Sequence, residues 1–220
     1  MRFKKVVLPN NITIVFVPKV HYNHFLCSVS FSFGAYNTSY LFENKEYKIP
    51  LGTAHFLEHM IFSTGDNIFE NFTSQGLELN AYTSPTHTSY TAEGTKGMVT
   101  AVLQTLELLS NFKVDSKLIQ KERILIADEI ELYEEDTDEL PRAEIIANLL
   151  NCNALESDIC GTAESLKEIN PDTLNSVYNF AYTNNNMLIT ISGKFHEIEE
   201  EELIDQLKLL NNEKNVLLIV

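Results

Sequence analysis

Several segments of the chain alternate large apolar residues with small or polar ones, at the two-residue period of β-strands. The clearest is residues 25–33, where the alternation holds over most of the segment and predicts a strand with one buried face. Two β-rich runs, residues 3–8 and 12–17, are separated by Pro9-Asn10-Asn11 and predict an N-terminal hairpin. The other predicted strands are residues 77–83, 87–92 and 187–192.

Other segments repeat their apolar residues at helical spacing. The predicted helices are residues 53–62, 97–112, 116–134, 140–150, 171–182 and 197–210. Thr53 is a candidate N-cap of the first helix, and Asn170-Pro171 is a typical helix start. Because strands and helices come in mixed order and hairpins are present, we expect one α+β domain over residues 1–220. Its helices should pack on one face of a mainly antiparallel sheet.

Composition and charge exclude several classes of partner. The chain has 31 acidic and 16 basic side chains, a formal net charge of −15, which nucleic-acid backbones and anionic membranes repel. No segment approaches the ~20 apolar residues of a membrane span, and the first apolar run is broken at residues 9–11, so we expect neither a membrane helix nor a signal peptide. The odd cysteine count (Cys27, Cys152 and Cys160) favours buried thiols in a reducing compartment, and we expect a cytoplasmic location.

The strongest chemical signal is the H-x-x-E-H pattern formed by His55, Glu58 and His59. On a helix these three side chains project towards one region. Two imidazoles one turn apart can bind the same zinc ion, and the carboxylate beside them can hold the water that zinc makes acidic. The alternative is a chance match on an exposed helix, but the apolar flanking residues indicate a buried helix, in which unpartnered polar groups are costly.

A hydrolytic zinc site needs a third protein ligand, and the helix predicted over residues 116–134 offers candidates. Glu122 and Glu129 are seven residues apart and share a face, which we assign to an apolar stripe of leucines. Asp128 lies at the margin of that stripe and Glu131 faces away. We therefore expect Glu129 as the ligand and Glu122 as its support; the alternative is two carboxylates in ordinary ion pairs. The stripe consists of Leu118, Leu125 and Leu132.

With these residues the sequence resembles the pitrilysin/insulinase-type metallopeptidases, the inverzincins whose motif is H-x-x-E-H. Residues 52–59, Gly-Thr-Ala-His-Phe-Leu-Glu-His, are very close to the family motif. Segments 79–84, 121–131, 161–166 and 185–193 resemble later family landmarks in the same order. The similarity runs from about residue 8 to 193 and is greatest to the bacterial processing-peptidase type.

The resemblance implies roles for individual residues. It assigns zinc binding to His55, His59 and Glu129, general-base catalysis to Glu58, and support of the site to Glu122. It further implies that Asn80 and Ala81 pair with the backbone of an extended substrate. The alternative for those two residues is an ordinary hairpin strand.

Two features depart from the family pattern. Only 69 residues separate His59 from Glu129, fewer than in many relatives, and we expect the deletion in a loop over residues 63–72. Family members also join two or more such domains, whereas this chain has one. Its apolar last residues, 216–220, would form an exposed edge unless another chain covers them. We therefore expect a second peptidase-like domain or subunit as partner.

The functional expectation is a zinc-dependent endopeptidase that hydrolyses short or unfolded peptides, with Glu58 as the general base for a zinc-activated water. One alternative is a non-catalytic subunit that completes a partner's chamber. Another is a structural zinc domain, but that would need a fourth protein ligand, and the sequence offers no convincing one.

Overall fold

A computed structural model describes residues 3–64, 67–134 and 159–209, together with the single positions 145 and 149. Most strands in these residues belong to one six-stranded sheet, ordered β1-β2-β8-β3-β7-β6. Its neighbouring strands are antiparallel except for the parallel pair β2 and β8. The strands are β1 Lys4–Val7, β2 Thr13–Pro18, β3 Phe25–Phe31, β4 Ser39–Phe42, β5 Lys45–Lys48, β6 Leu77–Thr83, β7 Thr88–Gly94 and β8 Met187–Gly193; β4 and β5 form a separate hairpin.

The helices of the described residues complete an α+β fold, which confirms the predicted fold class. They are α1 Thr53–Ser63, α2 Ile68–Ser74, α3 Met98–Ser110, α4 Ser116–Glu134, α5 Ala163–Glu168, α6 Pro171–Ala181 and α7 Glu197–Leu209, with a 3₁₀ turn at Asn184–Asn186. The alternation in β3 separates the two faces of the sheet, since Cys27 and Val29 are buried whereas Leu26 is exposed. None of these helices is long and apolar enough to cross a membrane.

Local sequence patterns predicted most element bounds closely. Strands β1 and β2 form the expected hairpin, with Val6 opposite Ile14. The hairpin of β4 and β5 was not predicted, because its turn residues Glu43 and Asn44, both at positive φ, are not the Asn-Gly type that signals such turns. The prediction of a loop over residues 63–72 was wrong, since α2 begins at Ile68.

The apolar face of α4 differs from the one predicted. Leu125 and Leu132 are exposed, whereas the buried stripe consists of isoleucines. Two stripes one residue apart fit the same helical period, so spacing alone could not choose between them. Glu122 still belongs to the buried face, and Glu129 is half-buried. The buried isoleucines are Ile119, Ile126 and Ile130.

Some predictions concern residues outside the described ranges. The predicted helix over residues 140–150, apart from positions 145 and 149, is among them, as are Cys152 and the apolar segment 216–220. Within the described ranges, Cys27 and Cys160 are both buried, as expected.

Candidate metal centre

Helix α1 carries the H-x-x-E-H motif and is almost entirely buried. It begins after Gly52, which has a left-handed φ of 78°. A Cβ on Gly52 would lie 2.2 Å from the carbonyl oxygen of Cys160, so the segment at Cys160 and Gly161 packs directly against the helix start. The prediction of Thr53 as N-cap was wrong: it is the first helical residue, and its hydroxyl donates to the Pro50 carbonyl oxygen.

His55, His59 and Glu129 bring their ligand atoms together between α1 and α4. The Nε2 atoms of His55 and His59 lie 3.8 and 3.6 Å from Oε2 of Glu129, and all three residues offer ligand atoms within 4.8 Å of one another. These N···O separations are too long for hydrogen bonds. Donors bound to a tetrahedral zinc at about 2.0–2.1 Å stand about 3.3–3.4 Å apart, so the residues fit a shared ion.

Burial keeps His55 in the neutral form. The residue is 8% exposed, and burial, aided by nearby His59, lowers its pKa from 6.5 to about 3. Its Nδ1 atom is buried and has no hydrogen-bond partner among the described residues. A neutral imidazole is the form that binds metal ions, so burial prepares His55 for ligation at near-neutral pH.

Glu122 lies beneath the histidines and contacts α1 twice. Its Oε2 is 3.1 Å from Nδ1 of His59, and its Oε1 accepts a 2.6 Å hydrogen bond from the Ser63 hydroxyl. The residue is 2% exposed. A carboxylate on the far nitrogen of a ligand histidine fixes the orientation and tautomer of the ring. Glu122 thus contacts His59 without belonging to the cluster of ligand atoms, and its supporting role stays a prediction.

Glu58 is buried beside the cluster, and strand β6 supplies its hydrogen-bond donor. The Thr83 hydroxyl donates to Oε2 of Glu58 at 2.5 Å. Burial raises the pKa of Glu58; nearby Glu129 acts in the same direction, whereas the Thr83 hydrogen bond and His59 oppose the rise. A carboxyl group with a raised pKa can hold a proton during a reaction and release it afterwards.

Strand β6 forms one wall of the cleft above these residues. The cleft has a volume of about 460 Å³, and Ala81, Tyr82 and Thr83 line it together with the histidines and Glu129. Strand β6 is at the edge of the sheet formed by the described residues. Asn80 is exposed on this strand, outside the cleft lining. Such a strand has the backbone geometry to accept an added strand.

Two residues of the site were not among the candidates taken from the sequence. They are Thr83, the donor to Glu58, and Ser63, the donor to Glu122. For Ser63 a signal was available, because it lies one helical turn after His59 and shares its face. Thr83 has no such signal, since its contact with Glu58 spans 25 residues and depends on how the sheet meets α1.

Comparison with known proteins identifies the family. Residues 40–163 match the family model described as "Insulinase (Peptidase family M16)". The chain belongs to the M16 peptidase family. It is 31% identical over 208 residues to a Bacillus subtilis protein named "Uncharacterized zinc protease YmfH", covering 91% of this chain and 47% of that protein. It is 34% identical over 165 residues to a mitochondrial-processing peptidase subunit beta of Arabidopsis thaliana, covering 72% of this chain and 30% of that protein.

A solved structure extends the match to the M16 fold. An M16-like peptidase from Alicyclobacillus acidocaldarius superposes with a TM-score of 0.85 at 25% identity, over 97% of this chain and 50% of that one. The predicted resemblance to insulinase-type metallopeptidases is thereby confirmed. The chain spans about half the length of YmfH and of this M16-like peptidase, and less of the processing-peptidase subunit.

Proposed function

We propose that this chain is the catalytic domain of a zinc-dependent endopeptidase in which His55, His59 and Glu129 bind the zinc. The observation that carries the proposal is the meeting of three ligand atoms within 4.8 Å of one another, in a cleft that also contains Glu58. Membership of a family that includes a protein named as a zinc protease supports the choice of metal. Two imidazoles and a carboxylate form a ligand set used by catalytic zinc sites, which keep a fourth position open.

Zinc and Glu58 have separate roles in the proposed reaction. When bound, zinc supplies a Lewis acid that polarises the scissile carbonyl group and acidifies a water molecule. Glu58 would take a proton from the attacking water as its oxygen bonds to the scissile carbonyl carbon, and would deliver that proton to the amine nitrogen as the C–N bond breaks. Because the Thr83 hydroxyl engages Oε2 of Glu58, we assign the proton transfer to Oε1.

The proposed substrate is an extended peptide, either short or unfolded. It would add to the sheet as a strand beside β6, pairing with the backbone of Asn80 and Ala81. Ala81 lies on the cleft wall that faces Glu58 and the histidines, so a peptide on this edge would run past the proposed zinc position. A strand already paired on both sides in a folded sheet could bind in this way only after local unfolding.

We also propose that a second peptidase-like domain or subunit completes the active chamber. The chain covers about half of YmfH and of the M16-like peptidase, which supports a missing second part. The same observation favours the alternative function, in which this chain is a non-catalytic subunit that completes the chamber of another chain. The two proposals differ in whether Glu58 acts as a general base in peptide hydrolysis.

Zinc binding and peptide cleavage by the variant Glu58→Gln test the proposal. The exposed Glu131 on α4 provides the matched control, Glu131→Gln. Zinc content per chain should be the same for wild type and both variants, since Glu58 is not a ligand. Cleavage of an unstructured peptide, by the chain alone or with an M16 partner, should fall by about 10²–10⁴-fold in Glu58→Gln only.

Three outcomes would contradict the proposal. A wild-type chain that binds no zinc would remove the metal centre, and equal loss of zinc in Glu58→Gln would make Glu58 a ligand instead of a base. If the wild-type chain binds zinc but its complex with a partner cleaves equally well with Glu58→Gln, the non-catalytic subunit is the correct function.

A further inference from the structure

The last turn of α1 contacts Glu122 through two side chains. His59 and Ser63 are four residues apart on the helix, so they project from the same face. They contact different oxygens of one carboxylate, with His59 Nδ1 at 3.1 Å from Oε2 and the Ser63 hydroxyl at 2.6 Å from Oε1. These are the hydrogen bonds of Glu122 within the described residues, and Glu122 is 2% exposed.

The Ser63 hydroxyl differs from other hydroxyls at the helix ends of this chain. Ser74 and Ser110 close α2 and α3, and each donates to a backbone carbonyl oxygen three residues earlier, as Thr64 does after α1. Those contacts satisfy free carbonyls at a helix C-terminus. Ser63 instead donates across to α4, to a carboxylate 59 residues away. Its hydroxyl therefore donates to Glu122 and not to a carbonyl oxygen at the end of its own helix.

We propose that Ser63 is a positioning residue for zinc binding, which acts by holding Glu122 against His59. The inference rests on the proposed function only in taking His59 as a zinc ligand. An ionised carboxylate accepts hydrogen bonds and donates none, so contact with Glu122 requires the proton of His59 on Nδ1. The lone pair then lies on Nε2, the atom that faces Glu129 at 3.6 Å.

The contact of Ser63 fixes the rotation of the carboxylate. Without the hydroxyl, Oε1 of Glu122 would be buried with no donor among the described residues, and the carboxylate would turn to find one. Oε2 would then lose its hydrogen bond with Nδ1 of His59. Without that bond, neither the orientation nor the tautomer of the His59 ring would be fixed. Loss of a carboxylate partner behind a ligand histidine typically weakens metal affinity by about 10- to 100-fold.

The experiment measures the zinc affinity of the full chain by competition with a chromophoric chelator. Ser63→Ala should weaken zinc binding by about tenfold, whereas Ser63→Thr, which keeps the hydroxyl, should restore it. Ser110→Ala is the matched control, because it also removes a hydroxyl from the last residue of a helix. It should leave affinity unchanged. Urea unfolding of the metal-free variants shows that each one is folded.

A double-mutant cycle separates positioning from general packing. If Ser63 acts through Glu122, then Ser63→Ala should cost little additional affinity in a Glu122→Gln background. Nitrogen NMR of the metal-free chain gives a second readout, in which Ser63→Ala should reduce the fraction of His59 protonated on Nδ1 alone.

Unchanged zinc affinity and an unchanged His59 tautomer in folded Ser63→Ala would overturn the inference, as would the same loss of affinity in both backgrounds. A wild-type chain that binds zinc, but whose complex with an M16 partner cleaves peptides equally well with Glu58→Gln, would defeat the endopeptidase proposal and leave these comparisons valid. If the wild-type chain binds no zinc, an unchanged tautomer in Ser63→Ala still counts against the role of Ser63.

Discussion

A methyl group added at Gly52 should displace the start of α1, the helix that carries the H-x-x-E-H motif. The φ of Gly52, 78°, is in the left-handed region, and a Cβ there would lie 2.2 Å from the Cys160 carbonyl oxygen and 2.8 Å from its carbon. Both atoms belong to the backbone, so no side-chain rotation can relieve the contact. Gly52→Ala therefore forces either α1 or the segment at Cys160 to move.

The expected loss of stability has two parts. A left-handed L-residue costs about 1–2 kcal/mol, and displacing packed backbone adds about 1–3 kcal/mol. Gly52→Ala should thus lower the free energy of unfolding by about 2–5 kcal/mol. Gly76 is the matched control, because its φ is 72° but nothing lies within 4 Å of its added Cβ. Gly76→Ala should show the backbone part alone, about 1–2 kcal/mol.

Urea unfolding followed by circular dichroism measures both variants, and zinc affinity is measured in parallel. Because His55 lies three residues after Gly52, a displaced first turn should also weaken zinc binding in Gly52→Ala, whereas Gly76→Ala should bind zinc as wild type does. Equal destabilisation by the two variants would refute the reasoning, since it would mean that the contact with Cys160 carries no energy.

Two further predictions concern buried groups. Thr83→Val should lower the kcat of peptide cleavage by about tenfold or more with little change in KM, because Glu58 loses its donor; Thr83→Ser should keep most of the rate, and a loss confined to KM would contradict the positioning of Glu58. Burial raises the pKa of the Cys27 thiol from 9.0 to about 12. Between pH 9 and 12 the Cys27 thiol is ionised in the unfolded chain but still protonated in the folded chain. The free energy of unfolding should therefore fall as pH rises over this range. In urea titrations at pH 8.5 and 11, Cys27→Ala should show a smaller fall than wild type; an equal fall would exclude Cys27 as a cause.

The sequence predicted the motif helix and its burial well because the information there is local. His55, Glu58 and His59 share a face whenever residues 53–63 are helical, and the apolar flanks make that helix buried. That Glu129 shares a face with Glu122 could also be predicted, because the seven-residue spacing holds for any rotation of α4. These inferences need only the period of a helix.

The parts that were not predicted depend on contacts between distant segments. We expected Leu125 and Leu132 on the buried face of α4, but the helix buries its isoleucines instead. The choice depends on the shape of the surfaces it meets, α1 and α5, which no pattern within α4 contains. Likewise, the Thr83 hydroxyl reaches Glu58 only because the end of β6 lies beside α1, and short polar residues at strand ends are too common to single out.

Three carboxylates of the site lie close together but receive different numbers of hydrogen-bond donors from the described residues. Glu122 has two, from His59 and Ser63, which hold both of its oxygens in place. Glu58 has one, from Thr83, so one oxygen remains for a proton while burial raises its pKa. The Glu129 side chain is 31% exposed and faces the two imidazoles. A second donor to Glu58 would favour its ionised form and occupy the oxygen needed for proton transfer. The distribution of donors therefore distinguishes three chemically identical groups, and it suits the roles proposed for them, with Glu122 as support, Glu58 as base and Glu129 as ligand.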